Sequence, residues 1–269
     1  MTDLDAVGQT ALGVALARGI ESLQPDALFR DPLAEAILAS SRPDVRASDH
    51  IEVHRERRAM YLWIVARTVF LDAVFERATA SGIGQFVILG SGLDGRGFRC
   101  EFADDARLFE IDRPQIVDIK ESAVADSGLA PTVDRRPVAC DLGDDWLRAL
   151  QDSGFRPDLP SAWLAEGLFV YLPDDVVTRV IEGVGVASQP GSRIGATVRS
   201  TRRGPESADD PYAEIRALWH DNPDIAQAFE SSGWDCSVTD SRTVLAAHGR
   251  RLPDSAQRAS SLLAGVRRG

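Results

Sequence analysis

The stretch FVILGSGLDGRG, residues 86–97, decides the fold. Four apolar residues run into a loop with four glycines, and Gly90, Gly92 and Gly95 fit the pattern G-x-G-x-x-G. A continuous apolar run suits a strand buried on both faces of a parallel sheet. Glycine suits a backbone that takes positive φ or comes close to a ligand. Strand, glycine turn and helix in that order form the layout in which an open parallel sheet holds a ligand at its carboxyl ends. Two classes of adenosine-bearing ligand use it. Dinucleotide enzymes lay a pyrophosphate on the helix N-terminus. S-adenosylmethionine enzymes lay a methionine moiety and a ribose across a similar turn. A bare tight turn is the third reading, and the strand–turn–helix context favours a ligand over it.

The flanking sequence extends the pattern. Upstream, residues 10–23 carry Leu12, Ala15, Leu16, Gly19, Ile20 and Leu23 as one stripe at helical spacing. Residues 31–40 form a shorter helix, with Asp31 as N-cap and Pro32 at the first helical position. Residues 54–82 form a long helix ended by Gly82. Downstream, strands are expected at 85–90, 107–112, 135–142, 161–168 and 192–198, with helices at 113–128, 143–154 and 173–188. Strands that alternate with helices specify a parallel sheet covered on both faces. Residues 199–230 read as a late insertion, irregular and then helical, and WDCSVTD (234–240) and SSLLAGVRR (260–268) as the last two strands. The expected organisation is a helical N-terminal cap layer over residues 1–83 and an α/β core over 84–269, together one doubly wound domain.

Several acids stand where a ligand would meet them. Asp112 ends the second strand about 20 residues after the glycine turn, where a carboxylate takes ribose hydroxyls. Glu110 is expected to point away by strand alternation, so that only one of the two faces the ligand. Asp141 and Leu142 follow the third strand, where an acid accepts from an adenine amino group and an apolar neighbour packs on the purine face. Asp144 and Asp145 read as caps of the next helix. Glu166 ends the apolar fourth strand. A buried carboxylate there needs a cation, either a ligand's sulfonium or amino group or an arginine of the chain.

Composition removes other classes. The 269 residues are 44% hydrophobic and 26% charged, which is ordinary for a globular domain. Acids outnumber bases 41 to 30, giving a net charge of −11 and a poor surface for nucleic acid or an anionic membrane. Cys100, Cys140 and Cys236 are scattered without metal-ligand spacing, so no metal site is expected and the thiols suit a reducing compartment. The apolar run YLWIVARTVFLDAVF (61–75) is broken by Arg67 and Asp72, too short to span a bilayer, and the first residues lack a signal-peptide layout. A cytoplasmic protein is expected.

Six blocks in order carry a resemblance: residues 7–37, 67–75, 85–99, 109–120, 141–155 and 160–173, the last reading PSAWLAEGLFVYLP. Over about residues 5–250 the chain resembles the leucine carboxyl methyltransferase-like family, in particular its bacterial branch of S-adenosyl-L-methionine-dependent methyltransferases, which includes polyketide carboxyl O-methyltransferases. The resemblance implies a class I methyltransferase fold, Rossmann-like and α/β, with a mostly parallel seven-stranded sheet whose last-added strand is antiparallel, and a helical cap over the active site. It implies that Arg67 binds the methionine carboxylate, that Gly90 and Gly92 line the cofactor, and that Asp112 holds the ribose. Asp141 and Leu142 would contact the adenine, Glu166 would face the methionine amino group, and Tyr171 would stand near the acceptor. Arg18 is a second candidate for the carboxylate or an exposed helix charge. Gly95 stands where the family has threonine, so that hydroxyl is missing.

The implied chemistry is direct in-line methyl transfer to a small molecule, such as a polyketide or other aromatic metabolite. A carboxylate acceptor needs no base, being ionised at neutral pH. A hydroxyl acceptor wants one, and His50, His54 and His220 are the candidates. Trp63 and Trp219 are aromatic candidates for the acceptor pocket, with core packing as the alternative. Two other functions stay open at this level: an NAD(P)-dependent oxidoreductase, and a catalytically silent cofactor-binding protein that serves an interaction.

Overall fold

The structure is a computed structural model that describes residues 5–41, 58–198, 217–252 and 261–269. Seven strands form one sheet in the order β3-β2-β1-β4-β5-β7-β6. They are β1 (Gln85–Leu89), β2 (Arg107–Asp112), β3 (Asp134–Ala139), β4 (Ala162–Ala165), β5 (Arg193–Val198), β6 (Trp234–Asp240) and β7 (Ser261–Arg267). The five strands β1–β5 are parallel, and β7 runs antiparallel between β5 and β6. The helices are α1 (Ala6–Ser22), α2 (Pro32–Ser41), α3 (Arg58–Ala80), α4 (Pro114–Ser127), α5 (Trp146–Asp152), α6 (Asp174–Val186), α7 (Ile225–Ser231) and α8 (Ser241–Ala247). This is the mostly parallel, doubly wound sheet that the strand–helix alternation predicts.

Strand alternation explains the two core layers. Phe86, Ile88, Leu108, Ala162 and Leu164 pack with Leu71, Val74 and Phe75 of α3 on one face. Val87, Leu89, Phe109, Trp163 and Ala165 pack with Trp146 of α5 and Val177, Val180 and Ile181 of α6 on the other. Successive side chains on a strand point to opposite faces, and here both faces are apolar because both are covered.

The ends of the elements follow local chemistry. Asp31 caps α2, its Oδ1 accepting from the Ala34 N–H at 3.0 Å. Gly82 closes α3 with φ at 77°, and Gly128 closes α4 with φ at 66°. Asp145 caps α5 through the Arg148 N–H. Two differences from expectation stand out. The fourth strand stops at Ala165, not at 168, because Gly167 takes φ at 65° and donates its N–H to Thr197 Oγ1 at 2.6 Å, which turns the chain out of the sheet. Helix α8 was not anticipated: seven residues leave too short an apolar pattern, and Asp240 starts it by accepting from Arg242 N–H. The first part of the 199–230 insertion, through residue 216, lies outside the described residues, and within the rest α7 forms as expected.

Strand order reverses between β1 and β4, which are hydrogen-bonded neighbours although β2 and β3 intervene in sequence. Ligand crevices of open α/β sheets form at such a point, beyond the carboxyl ends of the strands. Helices α1 and α3 lie beside it. No helix among the described residues is long and apolar enough to cross a membrane.

Candidate active site

The glycine turn opens at the tip of β1. Gly90 has φ at 62° and Gly92 at 48°, a region side chains avoid. A Cβ on Gly90 would sit 2.7 Å from Leu168 Cδ1, and one on Gly92 3.3 Å from Ala11 of α1. The third glycine serves another purpose. Gly95 has an ordinary φ of −99°, but a Cβ there would meet Asp31 Oδ1 at 2.1 Å. The carboxylate that caps α2 fills the space that a threonine would occupy.

Asp112, at the tip of β2, turns toward this loop. Its Oδ2 accepts from the Gly92 N–H at 2.6 Å and its Oδ1 from the Arg113 N–H at 2.8 Å. Burial pushes its carboxyl above the ordinary value, and the two N–H groups pull it back only in part. Glu110 does stay out of the crevice, but not by alternation: two residues apart, it shares the sheet face of Asp112. It is excluded by depth, buried further down the strand and held by Lys120 at 2.8 Å and Arg135 at 2.7 Å.

The tip of β4 is built differently. Glu166 is met by three guanidinium groups: Arg18 Nη2 at 2.6 Å and Arg67 Nε at 2.8 Å on Oε1, and Arg96 Nη1 at 2.8 Å on Oε2. Burial alone would raise its carboxyl, but Arg18, Arg96 and Arg67 outweigh that and hold it far below the usual carboxylate range. The interaction continues as a ladder. Arg96 also binds Asp94 and, through Nε, Asp72 at 2.7 Å. Arg99 joins Asp72 at 2.6 Å to Asp31 at 3.4 Å. Arg18, Arg67, Arg96 and Arg99 thus balance Asp31, Asp72, Asp94 and Glu166, four charges of each sign, and tie α1, α2 and α3 to the glycine turn and β4. The two charges that interrupt the apolar run of α3, Arg67 and Asp72, are rungs of it.

The ladder bears on two of the expected site residues. Glu166 lines the cavity with its charge met by arginines of the chain, the second of the two kinds of cation weighed for it. Arg18 is not an exposed helix charge: it is buried, with Nε on Thr68 Oγ1 at 3.2 Å, Nη2 on Glu166 and Nη1 3.7 Å from Asp94, and it lines the cavity. Arg67 differs. It commits Nε to Glu166, and its guanidinium lies 4.6 Å over the Trp63 ring. Burial pushes its pKa down against the pull of Glu166, yet a guanidinium stays cationic.

A single cavity of about 850 Å³ gathers these parts, within the usual range for small-molecule sites. Arg18, Arg67, Gly90, Gly92, Asp112, Asp141, Leu142, Glu166 and Tyr171 all line it. At one end lie the glycine turn, Asp112, Asp141 and Leu142. Asp141 is exposed and anchors a turn by accepting from the Gly143 N–H at 2.7 Å, while Leu142 is buried beside it. Toward the helices the wall becomes apolar and aromatic, with Ile20, Tyr61, Trp63, Ile64, Tyr171 and Trp219. His220 is exposed and is not part of the wall; its backbone N–H donates to the Val170 carbonyl at 2.8 Å, and the preceding residue, Trp219, lines the cavity instead. His50 and His54 lie outside the described residues. Cys140 lines the cavity too, but burial and the nearby Asp144 and Asp141 push its thiol up, away from the thiolate.

The sequence reading missed Arg96, Asp94 and Thr68 as parts of the site. The Asp94-Gly95-Arg96 triplet beside the turn was the only local signal of the first two.

Comparison with known proteins agrees with this architecture. Residues 11–185 match the family described as leucine carboxyl methyltransferase. A protein of Mycolicibacterium smegmatis is 36% identical over 93% of this chain and 90% of its own length, and one of Streptomyces coelicolor is 38% identical over 97% and 96%. Both are named "putative S-adenosyl-L-methionine-dependent methyltransferase". A crystal structure of a "putative methyltransferase" from Thermobifida fusca shares the fold, with a TM-score of 0.50 at 16% identity over 94% of this chain and 95% of that one. The sheet order, the crevice at the tips of β1, β2 and β4, and these relatives agree: the chain belongs to the leucine carboxyl methyltransferase family, whose relatives here are S-adenosyl-L-methionine-dependent methyltransferases.

Proposed function

We propose that this protein uses S-adenosyl-L-methionine to methylate an oxygen, a carboxylate or a hydroxyl, on a small molecule. The observation that carries the reading is the continuity of one cavity from the glycine turn and Asp112 to an aromatic chamber beside α1 and α3, with Arg67 in its wall. The residues fit the cofactor. Gly90 and Gly92 hold the turn at positive φ and line the cavity with backbone, and Asp112 presents a carboxylate to ribose hydroxyls. Asp141 and Leu142 suit the adenine. The terminal nitrogens of Arg67 suit the methionine carboxylate, and Glu166 serves as a positioning residue that aims Arg67. When bound, S-adenosyl-L-methionine supplies an electrophilic methyl group on a sulfonium.

The protein's task is then alignment and exclusion of water. Alignment of two reactants is worth about 7–11 kcal/mol when the geometry is held. Tyr171, in the wall between the two ends, is placed to touch the acceptor. The carboxylates of the described wall are already engaged: Asp94 and Glu166 by guanidinium groups, Asp112 and Asp141 by backbone N–H groups. That favours an acceptor that arrives ionised over one that must first lose a proton.

The test is transfer of labelled methyl from the cofactor to a panel of aromatic carboxylic acids and phenols, followed by mild alkali. A methyl ester releases volatile methanol, whereas a methyl ether keeps the label. Label on the acids that alkali releases is the expected result. Label that survives alkali moves the assignment to hydroxyl acceptors, and no transfer to any oxygen acceptor overturns it.

A further inference from the structure

Behind the aromatic chamber lies a buried acid that is not part of the charge ladder. Glu21, on α1, is fully buried and meets donors from three other segments of the chain. Its Oε1 accepts from the Leu28 N–H at 2.7 Å, and its Oε2 accepts from the Tyr61 hydroxyl and from Arg250 Nη1, the latter at 2.7 Å. Arg250 follows α8, and its Nη2 also donates to the Asp26 carbonyl at 2.7 Å. A charge this deep is costly without such partners. Tyr61 lines the cavity, whereas Glu21 and Arg250 do not, so the tie runs from the wall back into the protein.

Apolar contact holds Tyr61 as well. It packs against the buried cluster of Leu62 and Ala66 of α3 and Leu245 of α8. Ile20, next to Glu21, and Ile64, one turn along α3 from Tyr61, also line the cavity. Burial, with Glu21 adding to it, pushes the Tyr61 hydroxyl above its ordinary value, so it stays protonated and keeps donating. Stability alone does not call for this arrangement, because well-packed apolar groups of similar volume often replace a buried ion pair without loss. What the tie adds is direction. A hydrogen bond has a preferred distance and angle, and it fixes the setting of a ring that apolar contact alone leaves free to shift.

Resting on the methyltransferase reading above, we propose that Arg250 is a positioning residue for the methyl acceptor. It holds Glu21, Glu21 holds the Tyr61 hydroxyl, and the Tyr61 ring keeps one setting in the wall of the aromatic chamber. The chamber thereby keeps a width that suits a flat acceptor and turns away a thicker one. The cofactor end is held by other groups, Arg67 by Glu166 and Asp112 by backbone N–H groups, so it does not depend on this tie.

The experiment uses the full chain saturated with S-adenosylhomocysteine and two acid probes, flat 2-naphthoate and thick adamantane-1-carboxylate, with affinity read by calorimetry. The parent is expected to bind the flat probe roughly tenfold more tightly. Tyr61→Phe keeps the ring and removes the hydroxyl, leaving Glu21 with Arg250 and the Leu28 N–H. Arg250→Gln removes the cation from Glu21. Each should weaken 2-naphthoate roughly fivefold and narrow the preference, while the affinity for S-adenosylhomocysteine holds. Arg250→Lys keeps a cation at Glu21 and should recover most of the loss. The inference is overturned by an undiminished preference in Tyr61→Phe or in Arg250→Gln, by an Arg250→Lys that recovers nothing, or by a parent that binds both probes equally or neither. It is overturned equally by variants that unfold early or lose S-adenosylhomocysteine along with the probe, which makes the tie structural. A parent that fails to bind S-adenosylhomocysteine sinks the cofactor reading itself.

Discussion

The tips of β2 and β4 stand at the same level on either side of β1, and they are electrostatic opposites. Leu89 pairs with Ile111 on one side and with Ala165 on the other, and the residue that follows each partner in the chain is an acid, Asp112 and Glu166. Asp112 is met by two backbone N–H groups, and burial raises its pKa. Glu166 is met by three arginines that override the same burial and drive its pKa far down. One carboxylate is held by backbone N–H groups; the other is the counter-ion of three guanidinium groups. Position on the sheet brings a residue to the crevice, but its neighbours in space set its role.

The largest effect should come from removing the charge of Glu166. Glu166→Gln leaves Arg18, Arg67 and Arg96 with one fewer counter-ion, and breaking a buried pair of this kind costs about 3–5 kcal/mol. Asp112→Asn should leave stability within about 1 kcal/mol of the parent, since burial already disfavours the ionised form. Urea unfolding of the two variants checks the contrast, and equal losses would break it.

Ligand affinity should show the reverse order of directness. Asp112→Ala should weaken S-adenosylhomocysteine by roughly 10–150-fold, the worth of hydrogen bonds to a charged group, while circular dichroism reports a preserved fold. Calorimetry with unchanged affinity would take Asp112 out of the site. In the parent, the affinity should begin to fall with decreasing pH at a higher value than for an ordinary aspartate of 3.8, because the raised pKa protonates the carboxylate sooner.

A smaller, signed effect concerns acid. A depressed folded-state pKa stabilises the protein above the unfolded value, and that contribution erodes as pH falls through the window below it. The stability gap between the parent and Glu166→Gln should therefore be full at neutral pH and narrow below the usual glutamate value of 4.5. A gap that widens in acid would show that the arginines do not set this carboxyl.

The smallest effect is expected at His220. Its side chain is exposed and outside the cavity wall, so His220→Ala should change turnover less than about twofold. A large fall in kcat would return it to the chemistry and place the cavity's edge elsewhere.

Much of this site was legible because its signals are local. The glycine turn follows a strand within a few residues, and Asp112, Asp141 and Leu142 each follow a strand end. Their arrival at one crevice is dictated by the parallel order of strands. The resemblance added Arg67 and Tyr171, and both line the cavity. The partners of Glu166 were not legible. Arg18 is 148 residues away and Arg96 is 70, and nothing in either local sequence says that they share a carboxylate. The same distance hid the use of Gly95, which is fixed by Asp31 on α2 and not by a ligand.

The sequence by itself determined the alternation of strands and helices, the glycine turn and the acids at the strand tips, because backbone conformation and side-chain period are local properties. Only the tertiary structure decided which acid meets guanidinium groups and which meets backbone N–H groups, which tryptophans line the cavity, and that His220 does not line it. Electrostatics and burial act through space, and chain-distant groups become neighbours only when the helices pack against the sheet.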